Sequence, residues 1–132
     1  MHTLIPAPSS FSPLQGQFTL APNAHIGVSS EPLLPLGEFL AACLRPATGF
    51  SLPVEVSGEG DICLALGSDP TLEREGYRLE VQPDRVVLVA AQPAGIFNAI
   101  QTLRQLLPPA VEARTRQPGP WTIPACSIRD LP

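Results

Sequence analysis

The sequence predicts an α+β fold, a largely antiparallel sheet of about seven strands with two helices packed on one face. Three observations predict it. Seven short runs carry the period-two alternation or the continuous apolar character of strands, and two longer runs carry the 3.6-residue period of helices. Prolines and glycines fall between these runs and punctuate them. The chain has 132 residues, the length of one domain, and its 44% hydrophobic and 15% charged residues make it too apolar for intrinsic disorder. No run approaches the roughly eighteen apolar residues of a membrane helix.

Residues 1–14 are rich in proline and serine without periodicity and read as an irregular lead-in, with a single domain over 15–132. Strands are expected at Gly16–Leu20 and at Ala24–Ser29, where Ile26 and Val28 alternate against His25 and Gly27. Ser30-Glu31-Pro32 has the composition of a helix start, with Ser as cap and Pro tolerated in the first turn. That helix should end at about Arg45, before Pro46, with Leu33, Leu36, Leu40, Cys43 and Leu44 on one face and Glu38 and Arg45 opposite. Strands follow at Pro53–Val56 and Asp61–Gly67, the second apolar enough to be covered on both faces. Gly76–Val81 and Arg85–Ala90, joined by Pro83-Asp84, form a hairpin of one half-solvated and one buried strand. Pro93 opens a second helix that ends before Pro108-Pro109, and Trp121–Ile128 is the last strand.

On a helical wheel Ile96, Phe97, Ala99, Ile100, Leu103, Leu106 and Leu107 fill about half the circumference of the second helix. A helix covering one sheet needs an apolar stripe of little more than about 100°. The opposite side carries Asn98, Gln101, Thr102 and Gln105, polar but uncharged. Two readings fit: a broad-cored helix in a lysine-free protein, or a helix whose outer side is also covered by a partner.

Eight arginines against twelve acids give a net charge of −4, with no field to gather phosphates, so neither nucleic acid nor an anionic membrane is an expected partner. Cys43, Cys63 and Cys126 are odd in number and widely spaced, as befits reduced, mostly buried thiols. No two acidic residues adjoin, and Glu73 and Glu75, two residues apart, lie in a segment with the character of an exposed turn. His2 and His25 have no Cys or carboxylate at ligand spacing, so no metal site and no cofactor is expected. Gly27-Val28-Ser29-Ser30-Glu31 begins like a nucleophile elbow but lacks its closing glycine. Gly58-Glu59-Gly60 leads into a strand and is no phosphate cradle. No catalytic residue emerges from the sequence.

Three segments carry a resemblance. Glu75-Gly76-Tyr77-Arg78-Leu79, then Gly95-Ile96-Phe97-Asn98-Ala99-Ile100-Gln101-Thr102-Leu103-Arg104-Gln105-Leu106-Leu107, and finally Trp121-Thr122-Ile123-Pro124 through Ile128-Arg129-Asp130-Leu131-Pro132 resemble the N-terminal accessory domain of glycoside hydrolase family 20, the β-N-acetylhexosaminidases. The resemblance covers residues 75–132, with the strand at Asp61–Gly67 in the family's preceding position, and residues 1–50 match in general shape. It implies a zincin-like topology in which the sheet holds two helices against a catalytic (β/α)8 barrel, entered after Asp130-Leu131-Pro132. It also implies that the outer face of the second helix, with Phe97, Asn98, Gln101, Thr102, Arg104 and Gln105, is an interface. The family's catalytic Asp-Glu dipeptide and tryptophan-lined sugar pocket have no counterpart here, since no Asp-Glu dipeptide and a single tryptophan are present.

The expected function is therefore that of a non-catalytic scaffold for an exo-acting β-N-acetylhexosaminidase, partnered by that barrel and capable of self-association through its helical layer when alone. The alternative is a free-standing protein-interaction or carbohydrate-binding module, which would display aromatic platforms. Trp121 is expected in the core between Pro120 and the final strand. The start Met1–Pro6 lacks a basic then apolar leader, which favours a cytoplasmic location and leaves an exported parent compatible.

Overall fold

In a computed structural model of the chain, which describes residues 10–67, 72 and 75–131, seven strands and two helices follow one another. They are β1 (Ser10–Thr19), β2 (Ile26–Val28), α1 (Leu34–Thr48), β3 (Val54–Val56), β4 (Ile62–Leu66), β5 (Tyr77–Val81), β6 (Val86–Ala90), α2 (Pro93–Leu106) and β7 (Thr122–Asp130). Two helices and a seven-stranded sheet are what the sequence leads one to expect. The strand order is β1-β7-β5-β6-β4-β2-β3, and the pairing is mixed rather than largely antiparallel. β1, β7, β5 and β6 pair antiparallel, whereas β6, β4, β2 and β3 run parallel. The parallel half follows from connectivity, because β2 and β3 are neighbours joined through α1, and a helical crossover returns the chain in the same direction.

Register turns the alternation of each strand into one apolar face. Val28 is aligned with Leu64, Leu64 with Leu88, Leu88 with Leu79 and Leu79 with Ile128, a row across five strands in which every residue is at most 1% exposed. Both helices lie on this face, α1 over β2 and β3, α2 over β4, β5 and β6. Leu33, Leu40 and Leu44 at the start of and along α1, and Ile96, Ile100 and Leu103 of α2, are fully buried there. Removing each such side chain from water contributes about 2–3 kcal/mol. The other face of the sheet carries Arg78, Glu80, Ser127 and Arg129, with Ser127 Oγ donating to Glu80 Oε1 at 2.8 Å.

Three expectations need correction. The lead-in over 1–14 was expected to be irregular, but residues 10–14 form the first half of β1, where Ser10, Phe11, Ser12 and Pro13 pair with Arg129, Ile128, Ser127 and Cys126. The edge position allows it: Pro13 has no N–H for a ladder, and at a sheet edge next to a register shift the loss is tolerated. Residues 1–9 lie outside the described residues. Helix α1 does not stop before Pro46 but runs to Thr48. Its last turn is held by burial of Ala47 and Thr48, by Thr48 Oγ1 donating to the Leu44 carbonyl at 2.8 Å, and by Gly49 at φ 72°, whose N–H donates to the Arg45 carbonyl. Finally, Ser30 occupies the cap position but makes no side-chain cap bond, and the first turn, Glu31–Leu33, is a 3-10 turn before α1 proper.

Candidate functional site: the outer surface of the helical layer

The two helices leave a shared surface turned away from the sheet. On α1 it is flanked by Leu36 and Phe39, half-buried and packed against the edge of the core, and by the half-buried Cys43, so that Leu36 and Cys43 border the core face rather than lying fully within it. On α2 it carries Phe97, Asn98, Gln101, Arg104 and Gln105. Phe39 and Phe97 meet across the helix pair with ring centroids 5.5 Å apart and planes tilted by 31°. Phe97, counted within the apolar arc from the sequence, is nevertheless 43% exposed. The arc therefore continues past the core to the outside.

Around these rings the polar groups bind one another. Arg104 donates to Glu112 Oε1 at 2.6 Å and Oε2 at 3.3 Å, and to Gln101 Oε1 at 2.9 Å. The Glu112 hydrogen bonds push the Arg104 guanidinium above its usual range. Asn98 Nδ2 donates to the Glu75 carbonyl at 3.1 Å, fixing the start of α2 to the segment entering β5. Asn98, Gln101, Arg104 and Gln105 are all half-buried in the isolated chain, which sets this face apart from a freely solvated one. Thr102, expected on the same face, is not there. It is 8% exposed, turned toward the sheet, with Oγ1 2.5 Å from the Tyr77 hydroxyl. A threonine one position on from Gln101 falls on the sheet side of the wheel's boundary, and its hydroxyl finds a buried partner there.

The remaining clusters offer little chemistry. His25 Nδ1 lies 3.2 Å from Glu55 Oε1 and the His25 N–H donates to Asp61 Oδ2 at 2.8 Å, in an open depression of about 330 Å3. Sequence spacing did not bring Glu55 and His25 together; the parallel β2–β3 pairing does. Among the described residues no group of three His, Cys, Asp or Glu side chains is arranged to hold a metal ion. Glu75 borders a depression with Gln92, Pro93 and Ala94, while Glu73 lies outside the described residues. Trp121 is 3% exposed and Tyr77 2%, so neither is a platform for a sugar ring.

All three cysteines are free. Burial, then the nearby Glu80 carboxylate, pushes the Cys126 thiol up to about 11. Burial is also the largest influence raising Cys43, opposed by Arg104 and assisted by Glu112. At pH 8, with a pKa near 11, only about one Cys126 in a thousand is thiolate. Native protein titrated with an aromatic disulfide at that pH should therefore release one equivalent slowly, from Cys43, and three only after denaturation. Rapid release of two or three equivalents from folded protein would contradict the packing described.

The family model described as Glycosyl hydrolase family 20, domain 2, matches residues 1–131. An N-acetyl-β-hexosaminidase of Streptomyces plicatus, solved with Thio-NAglucal, is 44% identical with a TM-score of 0.90, over 95% of this chain and 25% of that one. A GH20 β-N-acetylhexosaminidase of Streptomyces coelicolor A3(2) is 43% identical with a TM-score of 0.91, over 96% of this chain and 26% of that one. A β-hexosaminidase of Porphyromonas gingivalis is 32% identical over 98% of this chain and 17% of its own length. The chain thus spans about a quarter of two of these relatives and 17% of the third.

Proposed function

The chain belongs to glycosyl hydrolase family 20, as that family's domain 2, and from that membership we propose that it is the non-catalytic scaffold domain of an exo-acting β-N-acetylhexosaminidase. The barrel that follows Asp130-Leu131-Pro132 would remove terminal N-acetylhexosamine with the substrate's own acetamido oxygen as nucleophile. This domain would support it through the helical layer. The observation that carries the reading is the outer surface itself. An exposed Phe97 in tilted contact with Phe39 sits beside an Arg104–Glu112 pair and half-buried amides, an apolar centre with a self-satisfied polar rim. Phe97, Asn98, Gln101, Arg104 and Gln105 are the contact residues on α2. The open face of the sheet, with Arg78, Glu80 and Arg129, suits solvent. A carbohydrate-binding role finds less support, because Trp121 and Tyr77 are both in the core.

Hydrolysis of a glycoside in this family's manner needs a positioned acid and a carboxylate to orient the acetamido group. The Asp-Glu dipeptide that supplies these groups in the family is absent from this sequence, and the carboxylates that share a depression, Glu55, Glu59 and Asp61, lie on an open surface beside His25. Purified chain incubated with 4-nitrophenyl N-acetyl-β-glucosaminide should release nitrophenol at the buffer rate. Turnover that scales with protein and survives repurification would overturn the scaffold reading.

A further inference from the structure

Each of the three sequence segments that carry the family resemblance contributes one polar side chain to a single cluster, in which Tyr77 and Thr102 are buried and Asp130 is half-buried. Tyr77 opens β5, Thr102 is on the sheet side of α2, and Asp130 is the last residue of β7. Tyr77 is 2% exposed, with its hydroxyl 2.5 Å from Thr102 Oγ1. In the antiparallel β5–β7 ladder Tyr77 stands directly opposite Asp130, so both side chains leave the sheet on the helix side. Asp130 is the second hydrogen-bond partner of the phenol. Burial is the largest influence raising the Tyr77 pKa. The Thr102 hydroxyl, as a hydrogen-bond partner, lowers it, and Asp130 raises it, first by its negative charge and then as an acceptor that holds the proton on the phenol. Either hydroxyl can donate in the Tyr77–Thr102 pair, whereas a carboxylate only accepts, so with the phenol proton directed to Asp130 the Thr102 hydroxyl is the donor to the Tyr77 oxygen.

Packing alone does not call for this arrangement, since phenylalanine would fill the same space without a hydroxyl to bury. Its position says more. The Tyr77–Asp130 rung is the last of the β5–β7 ladder, and Leu131, the next residue, is 43% exposed. We propose that Thr102, Tyr77 and Asp130 form a positioning relay that ties the end of β7 to helix α2, fixing the backbone of Arg129–Leu131 relative to that helix. The relay itself is a property of this chain and is tested in it.

Tyr77 is the only tyrosine, so ionisation followed at 295 nm reports this group alone. Thr102→Val removes a donor and should move the midpoint up. Asp130→Asn removes the carboxylate and should move it down. A side chain that merely packs would move both variants the same way or neither. At neutral pH, amide exchange at Arg129–Leu131 should quicken about tenfold in Tyr77→Phe and in Asp130→Asn, with the mid-strand amide of Ser127 unchanged. Exchange decides the matter if alkaline unfolding, seen by far-UV circular dichroism, precedes ionisation. Unaltered exchange at Arg129–Leu131, or midpoints shifting in one direction, would overturn the relay and leave the barrel reading standing. A relay that behaves as described in a chain whose helical face never associates would do the reverse.

Discussion

Gly95→Ala is expected to destabilise the chain by about 2–3 kcal/mol, although alanine is the better helix former. Gly95 sits in the first turn of α2 where the helix passes over the sheet. A Cβ there would press into the carbonyl oxygen of Gly76, and would lie 2.7 Å from the Ala90 Cβ. Neither neighbour is the end of a flexible side chain, so the helix itself must lift, and with it Ile96, Ala99 and Ile100, all fully buried. The propensity gain of about 1 kcal/mol is smaller than the packing lost. Gly58→Ala is the control: no atom lies within 4 Å of its Cβ position, and the change should stay within about 0.5 kcal/mol. Equal denaturation midpoints for the two variants would show that α2 does not approach the sheet as described.

Trp121→Ala should cost on the order of 3 kcal/mol, because the indole is 3% exposed and belongs to the main core. The side chain anchors the start of β7, and the Trp121 backbone carbonyl accepts the Leu20 N–H at 2.8 Å, closing the far end of β1. Truncation leaves a cavity that the proline-rich loop before it cannot fill by collapsing. As this is the only tryptophan, unfolding of the variant is followed by circular dichroism rather than fluorescence. A loss below about 0.5 kcal/mol would mean that the indole is an exposed platform and would revive the carbohydrate-binding reading.

Much of this was legible in the residues, for identifiable reasons. Alternation located β5 and β6, where Tyr77, Leu79 and Val81 are buried and Arg78 is exposed. Pro93 and Pro108-Pro109 bracketed α2 because proline acts locally on the helix it begins or ends. Pro46 misled because its effect is not local: a helix can absorb a missing N–H in its last turn when Ala47 and Thr48 are buried and Gly49 can cap in the left-handed region. The parallel half of the sheet was readable in principle, since β2, α1 and β3 form a strand–helix–strand unit, but three-residue strands carry no directional mark of their own. At the helical surface the wheel placed Asn98, Gln101 and Gln105 outside the core, where all three are half-buried. It misplaced Thr102, whose small side chain turns inward to a hydroxyl that only the β5 register supplies. It could not show the Phe39–Phe97 contact, which depends on how two helices are set side by side.

The central claim is that the outer surface of the helical layer is built to be covered. Cut off from a barrel, such a surface should find its own copy, by default with two-fold symmetry. Sedimentation equilibrium from micromolar to millimolar concentration measures this most directly, with wild type beside Phe97→Glu, which places a charge at the centre of the patch without touching the sheet-facing core. The account predicts a concentration-dependent dimer in wild type that the variant loses while keeping the same thermal midpoint within a few degrees. A wild type that stays strictly monomeric throughout, with its helical face ordered and solvated, would contradict it.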